Sequence, residues 1–175
     1  RSGAGNYVLG GWSGSMIHRY ESGAPILVSA TNFDGQALFN PNLRADVLLG
    51  PDQQKLTNSV DDPNRSTGTP YLNPAAFANP PLTSKRVPIH LGNGPRYLPN
   101  VRSFSRFGED FSLIKKTDLH FREGMNFEIR IDALNIFNRI GIGGPVTDVN
   151  DANFGRVFNK SGSPRTMQIG GRLTF

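Results

Sequence analysis

Residues 125–137, MNFEIRIDALNIF, constrain the fold of this chain more than any other segment. Met125, Phe127, Ile129, Ile131 and Ala133 alternate with Asn126, Glu128, Arg130 and Asp132. Side chains that repeat every second residue stand on opposite faces of a β-strand. One face is therefore apolar, and the other carries charge at its centre. The segment from Pro164 to Phe175 repeats the pattern. Met167, Ile169, Gly171, Leu173 and Phe175 share one parity, and Thr166, Gln168, Gly170, Arg172 and Thr174 take the other.

Two further segments show the same period less cleanly. Between Asn6 and Glu21, Val8, Trp12, Met16 and Tyr20 share a parity, while Leu9, Ser13, Ser15 and Arg19 share the other, with Ile17 out of pattern. Gly10-Gly11 weakens the strand. Between Glu109 and Phe121, Phe111, Leu113, Leu119 and Phe121 align, but Lys115 and Thr117 interrupt, which allows a bulge or a slip. Arg122-Glu123-Gly124 then reads as a tight turn. The expected fold is all-β, with strands near 6–21, 109–121, 125–137 and 164–175.

The connections are uneven. Residues 22–103 hold no sustained period and are full of turn formers such as SGAP, DDPNRSTGTP, NPAAFANPP and GNGP. Short local strands fit Ile26-Leu27-Val28 and Val47-Leu48-Leu49. Phe33, Phe39, Tyr71, Leu72 and Phe77 are expected to pack on something. Residues 139–163 form a second long connection, with GIGGP and KSGSP turns. With 20 Gly and 13 Pro, the chain is poor material for a helical bundle. Its 12 Phe, four Tyr and one Trp supply too much apolar area for a disordered one. The absence of cysteine excludes a disulfide framework and any thiolate metal site.

A soluble sandwich and a membrane barrel both give alternating strands, with the sense of inside and outside exchanged. The order of connections separates them. Long, short, long is the order of extracellular loop, periplasmic turn and extracellular loop in a bacterial barrel. No run of about 18 apolar residues is present, but barrel strands need only about 9–11 residues each and leave no such run. The expected architecture is an antiparallel transmembrane β-barrel, seen as a C-terminal fragment of about four long strands with long extracellular loops. Phe175 is expected to be the true C-terminus of a longer protein, and Arg1 an internal cut or a processed end. The net charge is +5, but Arg44, Lys55, Arg65, Lys85, Arg86, Arg96, Arg102 and Arg106 are scattered, so no nucleic-acid partner is expected.

Motifs along about 165 residues resemble the C-terminal end of TonB-dependent outer-membrane receptors. They are most similar to the Oar-like group, whose members often carry an N-terminal carboxypeptidase-regulatory-like domain. Gly11-Trp12 with Tyr20-Glu21-Ser22-Gly23-Ala24-Pro25 resembles the group's strand-to-loop transition. Tyr71-Leu72-Asn73-Pro74-Ala75-Ala76-Phe77 resembles its N-P-A-A-F loop motif, and Gly92-Asn93-Gly94-Pro95-Arg96 its G-N-x-x-R element. Asp110 to Lys116 resembles D-x-S-L-x-K, and Arg130 to Asn138 resembles R-x-D-x-x-N-x-F-N. Asn153-Phe154-Gly155-Arg156-Val157, Pro164-Arg165 and Gln168-Ile169-Gly170 complete the set. Residues 35–69 match nothing in it, and Gly170-Gly171 doubles a glycine. The resemblance implies a barrel of about 22 strands with an N-terminal plug, and uptake of an extracellular ligand driven through TonB. It also implies contact with outer-membrane lipid, with the TonB complex through a plug that this chain lacks, and with the barrel-assembly machinery through the last strand.

Parity assigns Glu128, Arg130, Asp132, Gln168 and Arg172 to a wet lumen. It assigns Phe127, Ile129, Ile131, Met167, Ile169, Leu173 and Phe175 to lipid or its interface. His18, His90 and His120 show no metal-ligand spacing. DDPN at 61–64 and VNDAN at 149–153 do not fit a calcium loop and read as solvated turns. No phosphate loop follows GIGGP, and no nucleophile stands beside a base, so neither catalysis, a cofactor nor a metal is expected. Two other readings remain open at this stage: a structural or adhesive outer-membrane barrel, and a soluble β-sandwich binding module. The ligand itself, whether siderophore, oligosaccharide, peptide or vitamin, is not written in the residues.

Overall fold

The computed structural model describes residues 4–31, 43–57, 60, 67–119 and 123–175. Contacts divide the chain into two compact units. The first comprises residues 1–21, 106–140 and 162–175; the second comprises 22–105 and 141–161.

The first unit is a four-stranded antiparallel sheet of β1 (Trp12–Glu21), β2 (Arg106–Asp118), β3 (Asn126–Leu134) and β4 (Thr166–Thr174), in that spatial order. Among the described residues, β1 and β4 are its two edges. Register fixes the faces, because residues opposite one another share a side. One face is built in rows: Met16, Phe111, Ala133 and Met167; then Gly14, Leu113, Ile131 and Ile169; then Trp12, Lys115, Ile129 and Gly171; then Thr117, Phe127 and Leu173. The opposite face holds Ser15, Ser112, Asp132 and Gln168 in one row, Ser13, Ile114, Arg130 and Gly170 in the next, and Lys116, Glu128 and Arg172 in a third.

The apolar face is uncovered: Met167 is 63% exposed, Ile169 71% and Trp12 51%. Of the buried apolar residues described, Ala133 alone lies in this sheet. A sandwich would cover such a face with a second layer. Aromatic rings mark both of its ends, Trp12 and Phe127 at the hairpin end and Tyr20 and Phe107 at the other. Lys115 sits on this face near the hairpin end. Its Nζ lies 5.6 Å from the Trp12 ring centre and donates to Gly10 O, so the charge is drawn to the strand end.

Four strand expectations need correction. Residues 6–9 are helical, within Ala4–Leu9, and β1 begins at Trp12. The break is Gly11, whose φ of +71° and close approach to the Lys116 carbonyl exclude a side chain. β2 starts at Arg106, three residues earlier than the alternation suggested, because Tyr20 and Glu21 pair with Phe107 and Arg106. The allowance for a bulge at Lys115 or Thr117 fails, since pairing runs unbroken from Phe111–Ala133 to Asp118–Asn126. β3 stops at Leu134 rather than Phe137, because Asn135 and Asn138 adopt left-handed φ of 51° and 50°. β4 spans Thr166–Thr174, so Pro164, Arg165 and Phe175 flank it. His120, Phe121 and Arg122 lie outside the described residues.

The second unit is built from the two long connections, residues 22–105 and 141–161. Its strands are two-residue pairs: Ser29–Ala30 with Leu43–Arg44, Asp46–Val47 with Phe77–Ala78, Thr69–Pro70 with Arg156–Val157, and Gly141–Ile142 with Lys160–Ser161. Around them closes a core that includes Ile26, Val28, Ala45, Tyr71, Leu72, Phe77, Leu98, Val101, Phe154 and Val157. Tyr71, Leu72 and Phe77 pack as expected; Phe33 and Phe39 lie outside the described residues. Local strands fall at 29–30 and 46–47, not at 26–28 and 47–49. Among the described residues, no helix is long and apolar enough to cross a membrane, which leaves strands unaddressed.

Candidate functional site

The polar face of the sheet is hollow. A depression of about 380 Å³ is lined by Ser15 and Ile17 from β1, Asp110, Phe111 and Ser112 from β2, Arg130, Asp132 and Leu134 from β3, and Thr166 and Gln168 from β4. Its centre is the row Ser15, Ser112, Asp132 and Gln168. Arg130 reaches along its own strand, and its Nε donates to Asp132 Oδ1 at 3.0 Å and Oδ2 at 2.8 Å. Two residues apart on one strand, the two side chains share a face and meet without any turn. Its lining combines two carboxylates, one guanidinium and the hydroxyl and amide groups of Ser15, Ser112, Thr166 and Gln168 with apolar Ile17, Phe111 and Leu134.

Three of the five residues assigned to a polar lumen (Arg130, Asp132 and Gln168) come together here. Glu128 and Arg172 stand opposite one another on the same face but outside the depression. Phe127, Ile129, Ile131, Met167, Ile169 and Leu173 all lie on the opposite face, and Phe175 follows the last paired residue at 84% exposure. Asp110 and Ser112 were missed as members of this site. The same parity count, carried into β2 from Phe111, would have found them.

A second constellation ties together the root of the connection between β3 and β4. Asn135 donates from Nδ2 to the carbonyls of Arg139 at 3.0 Å and Ser163 at 2.9 Å, and its Oδ1 accepts from Arg139 N at 2.8 Å. Its own N–H donates to Asp110 Oδ1 at 2.9 Å. Asn138 Oδ1 accepts from Arg165 N at 3.3 Å. Both asparagines are left-handed, a conformation asparagine tolerates because its short amide bonds the local backbone. Beside them Arg139 Nε donates to both oxygens of Glu109, at 2.9 Å each. Glu109 has no solvent exposure. The Arg139 guanidinium lies 5.7 Å from the Phe107 ring centre and 5.6 Å from that of Phe137. Sequence reasoning did not find this pair, since thirty residues separate its members.

In the second unit the motif residues act as fasteners. Asn73 caps the 3₁₀ turn Pro74–Ala76, accepting from Ala75 N at 3.1 Å and donating to Gln53 O at 2.8 Å, which delivers Phe77 to the core against Phe154. Asn93 accepts from Val47 N at 2.7 Å, while its own N–H donates to Asp46 Oδ1 at 3.0 Å. Gly155, at φ +78°, packs on the Leu72 carbonyl with no room for a side chain. Arg156 donates to Thr67 O at 2.7 Å. Burial pushes the Tyr71 hydroxyl above its ordinary pKa, and that hydroxyl donates to Arg102 O at 2.5 Å. Burial alone would raise Asp148; hydrogen bonds from Thr31 and Asn150 outweigh it and hold the carboxyl below the usual range.

Asp151 accepts from Asn153 N at 2.8 Å, the bond of an ordinary Asx turn. His18 Nδ1 lies 3.2 Å from Tyr20 Oη and His90 Nε2 lies 3.4 Å from Asp46 Oδ2, while His120 and residues 61–64 lie outside the described residues. The described residues bring no three potential metal ligands together.

An antiparallel sheet of 9- to 13-residue strands, hollow and polar on one side and bare and apolar on the other, is the wall of a membrane barrel. The chain belongs to the outer membrane beta barrel domain family, whose model matches residues 1–168. That family places it in the bacterial outer membrane. No curated protein and no solved structure matches the chain.

Proposed function

We propose that this chain is the C-terminal part of the barrel of a TonB-dependent receptor of the Oar-like group, which takes up an extracellular ligand across the outer membrane of a Gram-negative-type bacterium. The observation that carries the reading is the role of the motif residues. Asn73, Asn93, Gly155 and Arg156 fasten a compact unit out of the two long connections, and Asn135 and Asn138 root the second of them. A barrel that only plugs into the membrane has no need to fold 22–105 and 141–161 around a core of their own.

In this reading the second unit is extracellular and binds the ligand. The polar hollow faces the lumen, with Arg130, Asp132 and Gln168 in it and Glu128 and Arg172 beside it. The apolar rows face lipid. A closed barrel leaves no backbone group unpaired in the bilayer, so β1 and β4 pair with further strands, and β4 with Phe175 is the segment read by the assembly machinery. The outer membrane holds no ATP, so the energy comes through TonB and a plug. No chemistry is performed on the ligand, no cofactor is held, and no nucleic acid is bound.

The test is uptake by cells expressing the full-length protein, with and without a functional TonB. The probe panel is labelled ferric siderophore, maltodextrin, oligopeptide and cobalamin. Accumulation of one probe that disappears both without TonB and on deletion of residues 67–82 is expected. Attachment of cells to surfaces that depends on the same deletion, with no TonB-dependent accumulation of any probe, would instead identify an adhesive barrel.

A further inference from the structure

The hollow holds two side chains that a wet lumen does not explain. Ile17 and Leu134 stand on the polar face, 62% and 53% exposed, and both line the depression. Ile17 is the residue that breaks the alternation of β1. Asp110 lies between them. It stands opposite Ile17, and its Oδ1 accepts at 2.9 Å from the N–H of Asn135, the residue after Leu134. A carboxylate is thus framed on two sides by exposed aliphatic side chains, in the row that Thr166 completes on β4.

The charge at this end follows from the pairs. Arg130 and Asp132 close on one another and cancel. Among the described residues Asp110 forms no ion pair, and its Oδ2 accepts no hydrogen bond. The other cations of this face stand in other rows. Arg19 lies opposite Gly108, one row beyond Asp110, and Lys116 and Arg172 flank Glu128, one row beyond Arg130. The hollow is left with one negative charge. Ser112 shares the face with Asp110, two residues along the same strand. Its Oγ is enclosed by protein and makes no hydrogen bond of normal geometry. A donor that enters here meets two acceptors in need of one.

These features select the occupant. A divalent cation takes about six oxygen ligands, and the described residues bring no three potential metal ligands together. An anion would meet the uncompensated carboxylate. A primary ammonium brings one positive charge and three donors, and an aliphatic group beside it finds Ile17 and Leu134. The Thr166 hydroxyl and the Gln168 amide suit an amide bond further along. At about 380 Å³ the depression is at the small end of ligand pockets, which run from about 300 to 1,000 Å³. We propose that the hollow, with Asp110 at its head, is a binding station for the N-terminal end of a short peptide, a free amino group beside an aliphatic side chain. It rests on the reading of this face as the lumen and names the class of ligand that passes along it.

Isothermal titration calorimetry of the purified full-length protein in detergent tests it, with leucyl-glycyl-glycine as the probe and its N-acetylated form as the comparison. The parent is expected to bind the free amine about tenfold more tightly, the worth of one charge-assisted hydrogen bond. Asp110→Asn removes the charge but keeps an oxygen for the Asn135 N–H, and it is expected to erase the preference. Glu128→Gln, on the same face outside the hollow, is expected to leave both affinities unchanged. Equal affinity of the parent for the two peptides, a preference that survives Asp110→Asn, or no binding of either peptide would overturn the proposal. Absent binding together with a lowered unfolding midpoint in Asp110→Asn would assign the carboxylate to a cation of the plug instead. The titration needs no TonB. A preference for the free amine without TonB-dependent uptake in cells would leave the amine site standing and count against the proposed function alone.

Discussion

Glu109 has no solvent exposure, and both of its carboxylate oxygens accept from Arg139 Nε at 2.9 Å. A carboxylate in such a place persists only while its partner is there, because removing the partner leaves a desolvated charge.

Arg139→Gln should therefore destabilise the barrel by about 3 kcal/mol, the low end for breaking a buried pair, because Arg139 is itself half exposed. Glu109→Gln alone should cost less, since the freed guanidinium can turn to water. The double variant should recover much of the loss. Denaturant titration of the full-length barrel in lipid vesicles, followed by tryptophan fluorescence, gives the three midpoints; an Arg139→Gln midpoint equal to that of Glu109→Gln would refute the asymmetry.

Asn135 does two things at once, holding a left-handed φ of 51° and bridging Arg139 to Ser163. Substitution by Gly keeps the first and loses the second, whereas Ala loses both. Asn135→Ala should be less stable than Asn135→Gly by about 1 kcal/mol, the cost of a β-carbon in the left-handed region. Limited proteolysis between residues 139 and 163 should follow the same order, and equal susceptibility of the two variants would show that the conformation carries no cost.

The sheet was legible because period two is a property of neighbouring residues. Ile129 and Arg130 declare their faces without reference to any partner, and the four long strands sit close to where alternation puts them. What escaped was non-local. Glu109 is one more polar residue by parity until Arg139 is folded onto it. Leu72, Val101 and Val157 form a core with no period, because their backbone bonds go to distant segments, as in Leu72 N to Gly155 O at 2.9 Å. The hollow was half visible: Arg130, Asp132 and Gln168 declared their face, while Asp110 and Ser112, whose face follows from Phe111, join it through the pairing of β2 with its neighbours.

Asp148 gives the second unit a dependence on acid. Its carboxyl is held below its ordinary range in the folded chain, so its stabilisation is present above the unfolded value of about 3.9 and is lost as pH falls through the lower folded value. Asp148→Asn should remove this part of the acid limb, and Thr31→Val should shrink it. Hydrogen exchange of Ser29 N–H, which donates to Thr147 O, followed from pH 6 to 3, reports it locally. The parent should lose protection more steeply than Asp148→Asn; parallel curves would contradict the linkage.

Ile131 lies between Leu113 and Ile169, in the middle of the bare apolar face, while Ile114 stands on the polar face beside Arg130. The two isoleucines therefore make a matched pair for asking which face meets lipid. A lysine at the centre of the bilayer costs about 2–4 kcal/mol and one in a wet lumen far less. Ile131→Lys should lower the unfolding midpoint of the full-length barrel in vesicles by that amount, and Ile114→Lys should move it little. In thicker bilayers the Ile131→Lys penalty should grow, because the ammonium has farther to reach to water. Equal penalties at the two positions would mean that both faces are dry, and a larger penalty at Ile114 would mean that the sheet faces the other way.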